Sequence, residues 1–289
     1  MARLSNMKEF SFSLYQTCTR YRKFIIIFIC VLLSLCIAGM VMATFVDLRL
    51  SEALNNPTQW FSKLLHNYGE WPAYLINVGF PVALCVWLIK HKKYLLSVPP
   101  FLFAIIFGFL FSMMWFKNTS MPFLFNSIFN AVVTGALFGL FFIIPKQVHK
   151  KALYILGLTF IVSNIAYLIM LAMKYLWGRV RFFDLEDNFT PWFRPNGING
   201  NDSFPSGHVL SAASLLMLWL VPIIFQIKNI FARLPLVVIP ALYTIAMMYA
   251  RIVVGAHYLS DVVFSIILFT VCTVLVLWVV CRRAAPKKD

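Results

Sequence analysis

Three residues in the C-terminal part of the chain have types and spacing suited to nucleophilic and acid–base catalysis. His257 and Asp261 are four residues apart, so on a helix the carboxylate can reach an imidazole nitrogen. A carboxylate in that position fixes the tautomer of the ring and makes its other nitrogen more basic, so His257 is the better candidate for a nucleophile. His208 is then available as a general acid.

Cationic side chains that could bind an anion flank these histidines. Lys174 and Arg181 are separated by about 700° of helical rotation, so a helix would place both on one face. Arg251 precedes the second histidine. A phosphate ester resists nucleophilic attack because its oxygens are negatively charged, so its hydrolysis requires that this charge be neutralised. The three cations therefore predict a phosphate-binding site, in which arginine supplies a planar fork and lysine a point charge.

The segment Phe204–His208 adds a backbone site for the same anion. Gly207 lacks a Cβ, which lets the neighbouring amides approach an anion closely. The apolar run that begins at Val209 predicts a helix, and a helix N-terminus favours negative charge. We therefore expect Ser206 and Gly207 to bind phosphate together with the cations.

Other charged residues in this region are not expected to take part in catalysis. Arg179 falls about 140° from Lys174 on a helical wheel, so we expect it to contact phospholipid or solvent. The neighbouring carboxylates show no regular metal-ligand spacing and are expected to be solvated turn residues: Asp184, Glu186, Asp187 and Asp202. We expect no metal and no cofactor.

The composition is that of a membrane protein. Of 289 residues, 61% are hydrophobic and 12% are charged, whereas about 25% are charged in a typical soluble domain. A net charge of +15 could suit nucleic acid, but basic residues in short loops between apolar runs are what membrane insertion requires. We expect a lipid bilayer as the partner and no nucleic acid. The six cysteines lie mostly inside apolar runs without a CxxC pair, which favours small core residues over disulfides or metal ligands.

Eight apolar runs are each near the roughly 17 to 25 residues that a membrane-spanning helix requires. They cover residues 24–45, 73–89, 95–116, 122–145, 152–174, 209–227, 234–250 and 258–280. The predicted fold class is therefore all-α, a polytopic transmembrane bundle. We expect one transmembrane domain over residues 24–281 with its catalytic motifs in 174–261, basic segments at 1–23 and 282–289, and polar loops at 46–72 and 182–204.

Lysine and arginine are distributed unevenly between alternate sides of these spans. The side that holds both termini collects 17 of them and the other side collects 8. Because positively charged loops tend to remain in the cytoplasm, we expect cytoplasmic termini and a catalytic site on the periplasmic or extracellular face, in a bacterial inner (plasma) membrane.

These positions resemble the motifs of the type 2 phosphatidic acid phosphatase family, integral membrane lipid phosphatases related to vanadium haloperoxidases. The family motifs K-x6-R-P, P-S-G-H and S-R-x5-H-x3-D correspond to Lys174-x6-Arg181-Phe182, Pro205–His208 and Ala250-Arg251-x5-His257-x3-Asp261. Phe182 and Ala250 depart from the pattern by replacing proline and serine, and neither departure removes a charge or a histidine.

The resemblance implies a six-helix catalytic core, a transient phosphohistidine on His257, protonation of the leaving oxygen by His208, orientation by Asp261 and no metal requirement. The expected activity is phosphomonoesterase or pyrophosphatase action on a membrane lipid phosphate. By resemblance, the candidate substrates are undecaprenyl diphosphate, phosphatidylglycerol phosphate, phosphatidic acid and lipid A phosphates. A lipid phosphotransferase with the same chemistry is an alternative, as is an anion or lipid transporter, although the chain lacks the inverted halves typical of transporters.

Overall fold

All regular structure in the described part of the chain is helical. The computed structural model describes residues 10, 12, 14–116, 123–187 and 189–285. Within these residues, eight helical segments are long and apolar enough to cross a membrane. The predicted all-α, polytopic fold is therefore confirmed. Parts of the basic segments 1–23 and 282–289 lie outside the described residues.

The helices form a simple succession along the chain. They are α1 (Arg22–Leu54), α2 (Trp60–Tyr68), α3 (Trp71–Lys90), α4 (Tyr94–Phe116), α5 (Phe123–Ile143), α6 (Lys146–Trp177), α7 (Gly207–Ala213), α8 (Leu220–Ile224), α9 (Ile230–Arg233), α10 (Pro235–Val253) and α11 (Leu259–Ala284). Two 3-10 helices, Phe182–Asp184 and Ser214–Trp219, also occur, and the second joins α7 to α8 within one span.

Helix α1 is longer than the sequence predicts. The hydropathy pattern places a polar loop at 46–72, but α1 continues to Leu54 and α2 forms within the same stretch. The buried residues of α1 lie along one stripe, at Met40, Ala43, Asp47 and Ser51. Spacings of three and four residues keep side chains on one helical face. The helix therefore continues past the apolar run because its inward face changes from apolar to polar while remaining buried.

Residues 70–160 form one compact unit of α3, α4, α5 and the first part of α6. Its core contains Tyr74, Val78, Val82, Ala83, Val86, Ala104, Phe141 and Leu153. The Tyr74 hydroxyl donates to Asn130 Oδ1 at 2.9 Å, and Asn130 Nδ2 donates to the Ile105 carbonyl at 3.2 Å. These bonds are needed because a buried polar group without a partner is costly.

Residues 1–69 and 161–289 form the second compact unit, which contains all the predicted site residues. Helix α1 lies against α11, since a Cβ added at Gly39 would come within 3.5 Å of Val263. Helix α7 is buried continuously from Val209 to Ala213. The motif that precedes α7 is therefore held inside the helices of this unit.

A glycine turn at the end of α6 directs the following residues into this unit. Gly178 has a φ of +49°, and a Cβ there would overlap the Gly197 carbonyl. The Asn199 side chain donates to the Gly178 carbonyl at 2.7 Å, which fixes the loop to the end of the helix. The side chains of Arg179 and Arg181 are consequently aimed by a turn and not by a helical face.

Candidate active site

His257 and Asp261 are brought together at the start of α11. Asp261 Oδ2 lies 3.5 Å from His257 Nδ1 and accepts from the Tyr258 amide at 2.9 Å. His257 precedes the helix, so the pair is assembled where the Asp261 carboxylate caps the first turn through the Tyr258 amide, and not by one turn of helix as the spacing predicts. Ser203 also donates its hydroxyl to Asp261 Oδ2 at 2.6 Å. The carboxylate is therefore fixed in place beside the imidazole.

The His257 imidazole is neutral at physiological pH. Burial is the largest effect on its pKa, and the charges of Arg251 and Lys174 act in the same direction, against the opposing effect of Asp261. Together they lower the pKa of His257 to about 3. A neutral ring has a nitrogen lone pair to share, which is the state that a nucleophile requires.

Ser206 precedes α7 with its backbone tied to α11. The Ser206 amide donates to Ser265 Oγ at 2.9 Å, and Ser265 donates back to the Ser206 carbonyl at 3.0 Å. The Ser206 hydroxyl is buried and has no hydrogen-bond partner within the described residues. Helix α7 begins at Gly207, two residues earlier than the apolar run predicts. The Ser206 hydroxyl, and not its amide, is therefore the group available for a ligand at this residue.

His208 is held by a residue that the sequence did not indicate. Its Nε2 lies 2.9 Å from the backbone carbonyl of His66 on α2, and the two imidazole rings are stacked with centroids 6.0 Å apart. A carbonyl oxygen only accepts hydrogen bonds, so Nε2 of His208 carries a proton in this arrangement. His66 thus fixes the orientation of the predicted general acid.

The same His66 contacts the buried cation Arg251. Nη1 of Arg251 donates to Nδ1 of His66, and only 1% of the Arg251 side chain is exposed. Arg251 lies in the last turn of α10, and its carbonyl accepts from the His257 amide at 3.2 Å. Arg251 therefore contacts two histidines: its side chain contacts His66, and its backbone carbonyl contacts the His257 amide.

Lys174 and Arg181 meet at the carboxylate of Asp202. Arg181 donates through Nε and Nη2 to the two carboxylate oxygens at 2.9 and 3.0 Å. Lys174 donates to the Asp202 carbonyl and lies 3.4 Å from Oδ2. Asp202 is exposed, as the sequence predicts, but the loop also returns it to both cations, which the sequence did not indicate. The predicted convergence of the cations occurs, although α6 ends at Trp177 and Arg181 is not on its face.

Asp202 carries a negative charge in this arrangement. Burial by itself would raise the pKa of its carboxyl, but the charges of Lys174 and Arg181 outweigh burial and lower the pKa below its usual value. The side chain is half exposed. An anion therefore occupies the contacts that the sequence assigns to phosphate, in a place that solvent reaches.

Arg179 is a buried part of the site and not the lipid or solvent contact that the helical wheel predicts. Its Nη1 lies 2.5 Å from Asp261 Oδ1, and its Nη2 lies 2.9 Å from Asp47 Oδ2. Its guanidinium lies 4.2 Å from the centroid of the Tyr258 ring. The helical-wheel prediction is wrong because α6 ends at Trp177, before Arg179.

No group of three or more histidine, cysteine, aspartate or glutamate side chains in the described ranges is arranged to bind a metal ion. Apart from Asp261, the side chains around His257 are cations, hydroxyls and a second imidazole. This set suits an anionic ligand, because guanidinium and ammonium groups match the charge and geometry of phosphate oxygens.

Residues 150–285 match the model of the PAP2 superfamily. The matched region contains all eight predicted site residues, Lys174, Arg181, Ser206, Gly207, His208, Arg251, His257 and Asp261, and leaves Asp47 and His66 outside. No curated protein and no solved structure matches the chain. PAP2 proteins are in general phosphatases, and the described part of this chain also has eight helices suited to crossing a membrane. Residues 150–285 are therefore similar to the PAP2 superfamily, and the chain is an integral membrane protein.

Proposed function

We propose that this membrane phosphatase hydrolyses a lipid phosphate through a phosphohistidine on His257, with His208 as general acid. The observation that carries the proposal is the neutral, buried His257 beside Asp261, inside the region that matches the PAP2 superfamily. A neutral imidazole held by a carboxylate is suited to nucleophilic attack on phosphorus.

The lipid phosphate binds where Asp202 now contacts Lys174 and Arg181. Its oxygens take over these cations as partners and gain Arg251 as a third. The Ser206 hydroxyl, buried without a partner in the described part of the chain, donates to one phosphate oxygen. Gly207 leaves room for the phosphate at the start of α7. Since the cations neutralise the phosphate, the approach of a nucleophile becomes less unfavourable.

In the first step, Nε2 of His257 forms a bond to phosphorus while the bond from phosphorus to the lipid oxygen breaks. His208 enters this step as an imidazolium, keeps its Nε2–H on the His66 carbonyl and gives its Nδ1 proton to that oxygen. Asp261 accepts a hydrogen bond from Nδ1 of His257 as that ring becomes cationic. In the second step, His208 takes a proton from a water molecule that attacks the phosphohistidine. Inorganic phosphate leaves and both histidines return to their starting states.

The substrate class is a phosphomonoester or diphosphate of a membrane lipid. Its headgroup enters the polar site, and its acyl or prenyl tail remains in the bilayer. We assign the site to the periplasmic or extracellular face of its membrane, because the lysine and arginine distribution of 17 against 8 favours cytoplasmic termini.

Phosphate release by the purified protein in detergent tests this function. The panel consists of undecaprenyl diphosphate, phosphatidylglycerol phosphate, phosphatidic acid and lipid A, each with EDTA present. The proposed mechanism uses side chains only, so release should survive EDTA and should be lost in His257→Ala. His91→Ala, a histidine of the other compact unit, should retain full release. Release that persists in His257→Ala would exclude the phosphohistidine.

A labelled donor with an added acceptor lipid separates hydrolysis from phosphoryl transfer. Hydrolysis predicts label only as free phosphate, because water is the acceptor in the second step. Label in the acceptor lipid would instead identify a lipid phosphotransferase with the same covalent intermediate. Flux of substrate across vesicles without phosphate release would contradict both enzymatic functions and favour a transporter.

A further inference from the structure

Asp47 is a buried carboxylate contributed by α1, outside the region that matches the PAP2 superfamily. Its side chain is 3% exposed. Oδ1 accepts from the Ser260 amide at 3.0 Å, and Oδ2 accepts from the Ser260 hydroxyl at 2.5 Å and from Arg179 Nη2 at 2.9 Å. A buried carboxylate is retained where its partners compensate for lost hydration, and each oxygen of Asp47 has such a partner.

Arg179 is shared between Asp47 and Asp261. The Nη2 atom faces Asp47 and the Nη1 atom faces Asp261, with both carboxylates almost fully buried. The Ser260 hydroxyl joins the two halves, since it donates to Asp47 and accepts from Arg179 Nη1 at 2.7 Å. This cluster contains one cation and two anions, so it keeps a net negative charge next to His257.

The two oxygens of Asp261 face different partners. Oδ1 is paired with Arg179, whereas Oδ2 faces His257, the Ser203 hydroxyl and the Tyr258 amide. If Arg179 had only Asp261 as a counter-ion, the guanidinium would neutralise Asp261 and reduce its effect on the imidazole.

We infer that Asp47 is a positioning residue which shares Arg179 with Asp261 and thereby keeps Asp261 effective towards His257. The inference rests on the proposed role of His257 as the nucleophile. When Nε2 bonds to phosphorus, the ring becomes cationic, and a net negative cluster in a buried site stabilises that charge. Helix α1 therefore contributes to the reaction without contacting the substrate.

Replacing Asp47→Asn tests this role with almost no change in side-chain volume. We expect kcat to fall about tenfold to a hundredfold while KM changes by less than about threefold, because the phosphate-binding cations are untouched. Glu52→Gln is the matched control, since Glu52 is an exposed carboxylate on the same helix. It should leave kcat unchanged. A normal kcat in Asp47→Asn would overturn the inference.

A double-mutant cycle with Asp261→Asn separates positioning from a general structural effect. If Asp47 acts through Asp261, then Asp47→Asn should reduce kcat by less than about twofold in a chain that already carries Asp261→Asn. Radiolabelled substrate makes the low residual rate measurable. A reduction as large as in the wild-type background would show that Asp47 does not act through Asp261, and the inference would fail.

Ser260→Ala keeps the inference testable if Asp47→Asn does not fold. This change removes the hydroxyl that joins Asp47 to Arg179 but leaves all three charges. We expect a smaller fall in kcat, about threefold to tenfold, with KM unchanged and no further fall in the Asp261→Asn background. Unchanged kcat would overturn the inference. Failure of the proposed function is a different result, since the wild-type protein would then release no phosphate from any lipid.

Discussion

The neutral state of His257 makes the stability of the protein depend on pH. Burial, reinforced by Arg251 and Lys174, lowers the pKa of His257 to about 3, whereas an unfolded histidine titrates near about 6.5. Between these values the unfolded state binds more protons than the folded state. The contribution of His257 to stability is therefore fully present above its pKa in the unfolded state, and it is lost as the pH falls towards its pKa in the folded state.

His257→Gln should remove this dependence without introducing a charge. At about pH 7.5 the variant and the wild type should have similar melting temperatures in detergent, and at about pH 5 the wild type should have lost up to about 2 kcal/mol more. Thermal unfolding at both pH values measures the difference. The other histidines are the same in both proteins, so their contributions to the pH dependence cancel in the difference. Equal losses would mean that the folded-state pKa of His257 is close to its ordinary value.

Asp202 occupies the contacts of Lys174 and Arg181 that the proposed mechanism gives to phosphate. Because the carboxylate is half exposed, each ion pair is worth only about 0.2 to 1 kcal/mol, so an anionic ligand can displace it. Asp202→Asn should therefore tighten inhibition by vanadate, an analogue of the five-coordinate phosphoryl group, by about twofold to tenfold. Asp184→Asn, an exposed carboxylate of the preceding loop, is the control. Weaker inhibition in Asp202→Asn would show that Asp202 positions the cations and does not compete with the ligand.

The short helix α2 contacts two residues of the candidate site, each in a different way. Its His66 holds His208 through a backbone carbonyl and Arg251 through its side chain. His66→Ala keeps the carbonyl contact with His208 but removes the contact with Arg251 and the ring stacked on His208. Since the proposed mechanism has Arg251 bind phosphate, we expect KM to rise by roughly fivefold, the equivalent of a hydrogen bond of about 1 kcal/mol, with a smaller change in kcat.

The kinetic constants of His66→Ala and Lys63→Ala measure this effect. Lys63 is exposed on the same helix and should tolerate the change. A large fall in kcat with an unchanged KM would contradict the division of roles between the backbone and the side chain of His66, because it would mean that the side chain acts on His208.

The sequence predicted the helical elements well because hydropathy and length determine which segments can span a membrane. It also predicted that Lys174 and Arg181 lie close together, although a loop that returns Asp202 to both of them, and not a shared helical face, brings this about. It did not predict the role of Arg179, because a helical wheel assumes a helix that has already ended at Trp177.

Asp47 and His66 illustrate contacts that no local pattern reveals. Asp47 meets Arg179 across 132 residues of chain, and His66 meets Arg251 across 185 residues. Asp47 looks like the first polar residue after an apolar run, and only the buried stripe of α1 distinguishes it from a loop residue. Such long-range pairs depend on how the helices pack against each other. The sequence pattern near each partner does not predict that packing.

At the scale of the whole molecule, the distribution of charge predicts which face of the membrane the site occupies. The 17 lysines and arginines expected on the side of the termini, against 8 on the other, favour a cytoplasmic location for the termini. Single cysteines in a background without the native cysteines test this topology. Ile198 is 76% exposed in the loop after α6, and Lys92 lies in the turn between α3 and α4.

A membrane-impermeant thiol reagent added to intact cells should label Ile198→Cys and should not label Lys92→Cys until the membrane is permeabilised. The expected contrast arises because the two positions lie on opposite sides of the predicted spans. Labelling of Lys92→Cys and protection of Ile198→Cys would reverse the orientation and place the proposed phosphatase site in the cytoplasm. Labelling of both in intact cells would contradict the number of spans between them, since an odd number of crossings must separate the two positions.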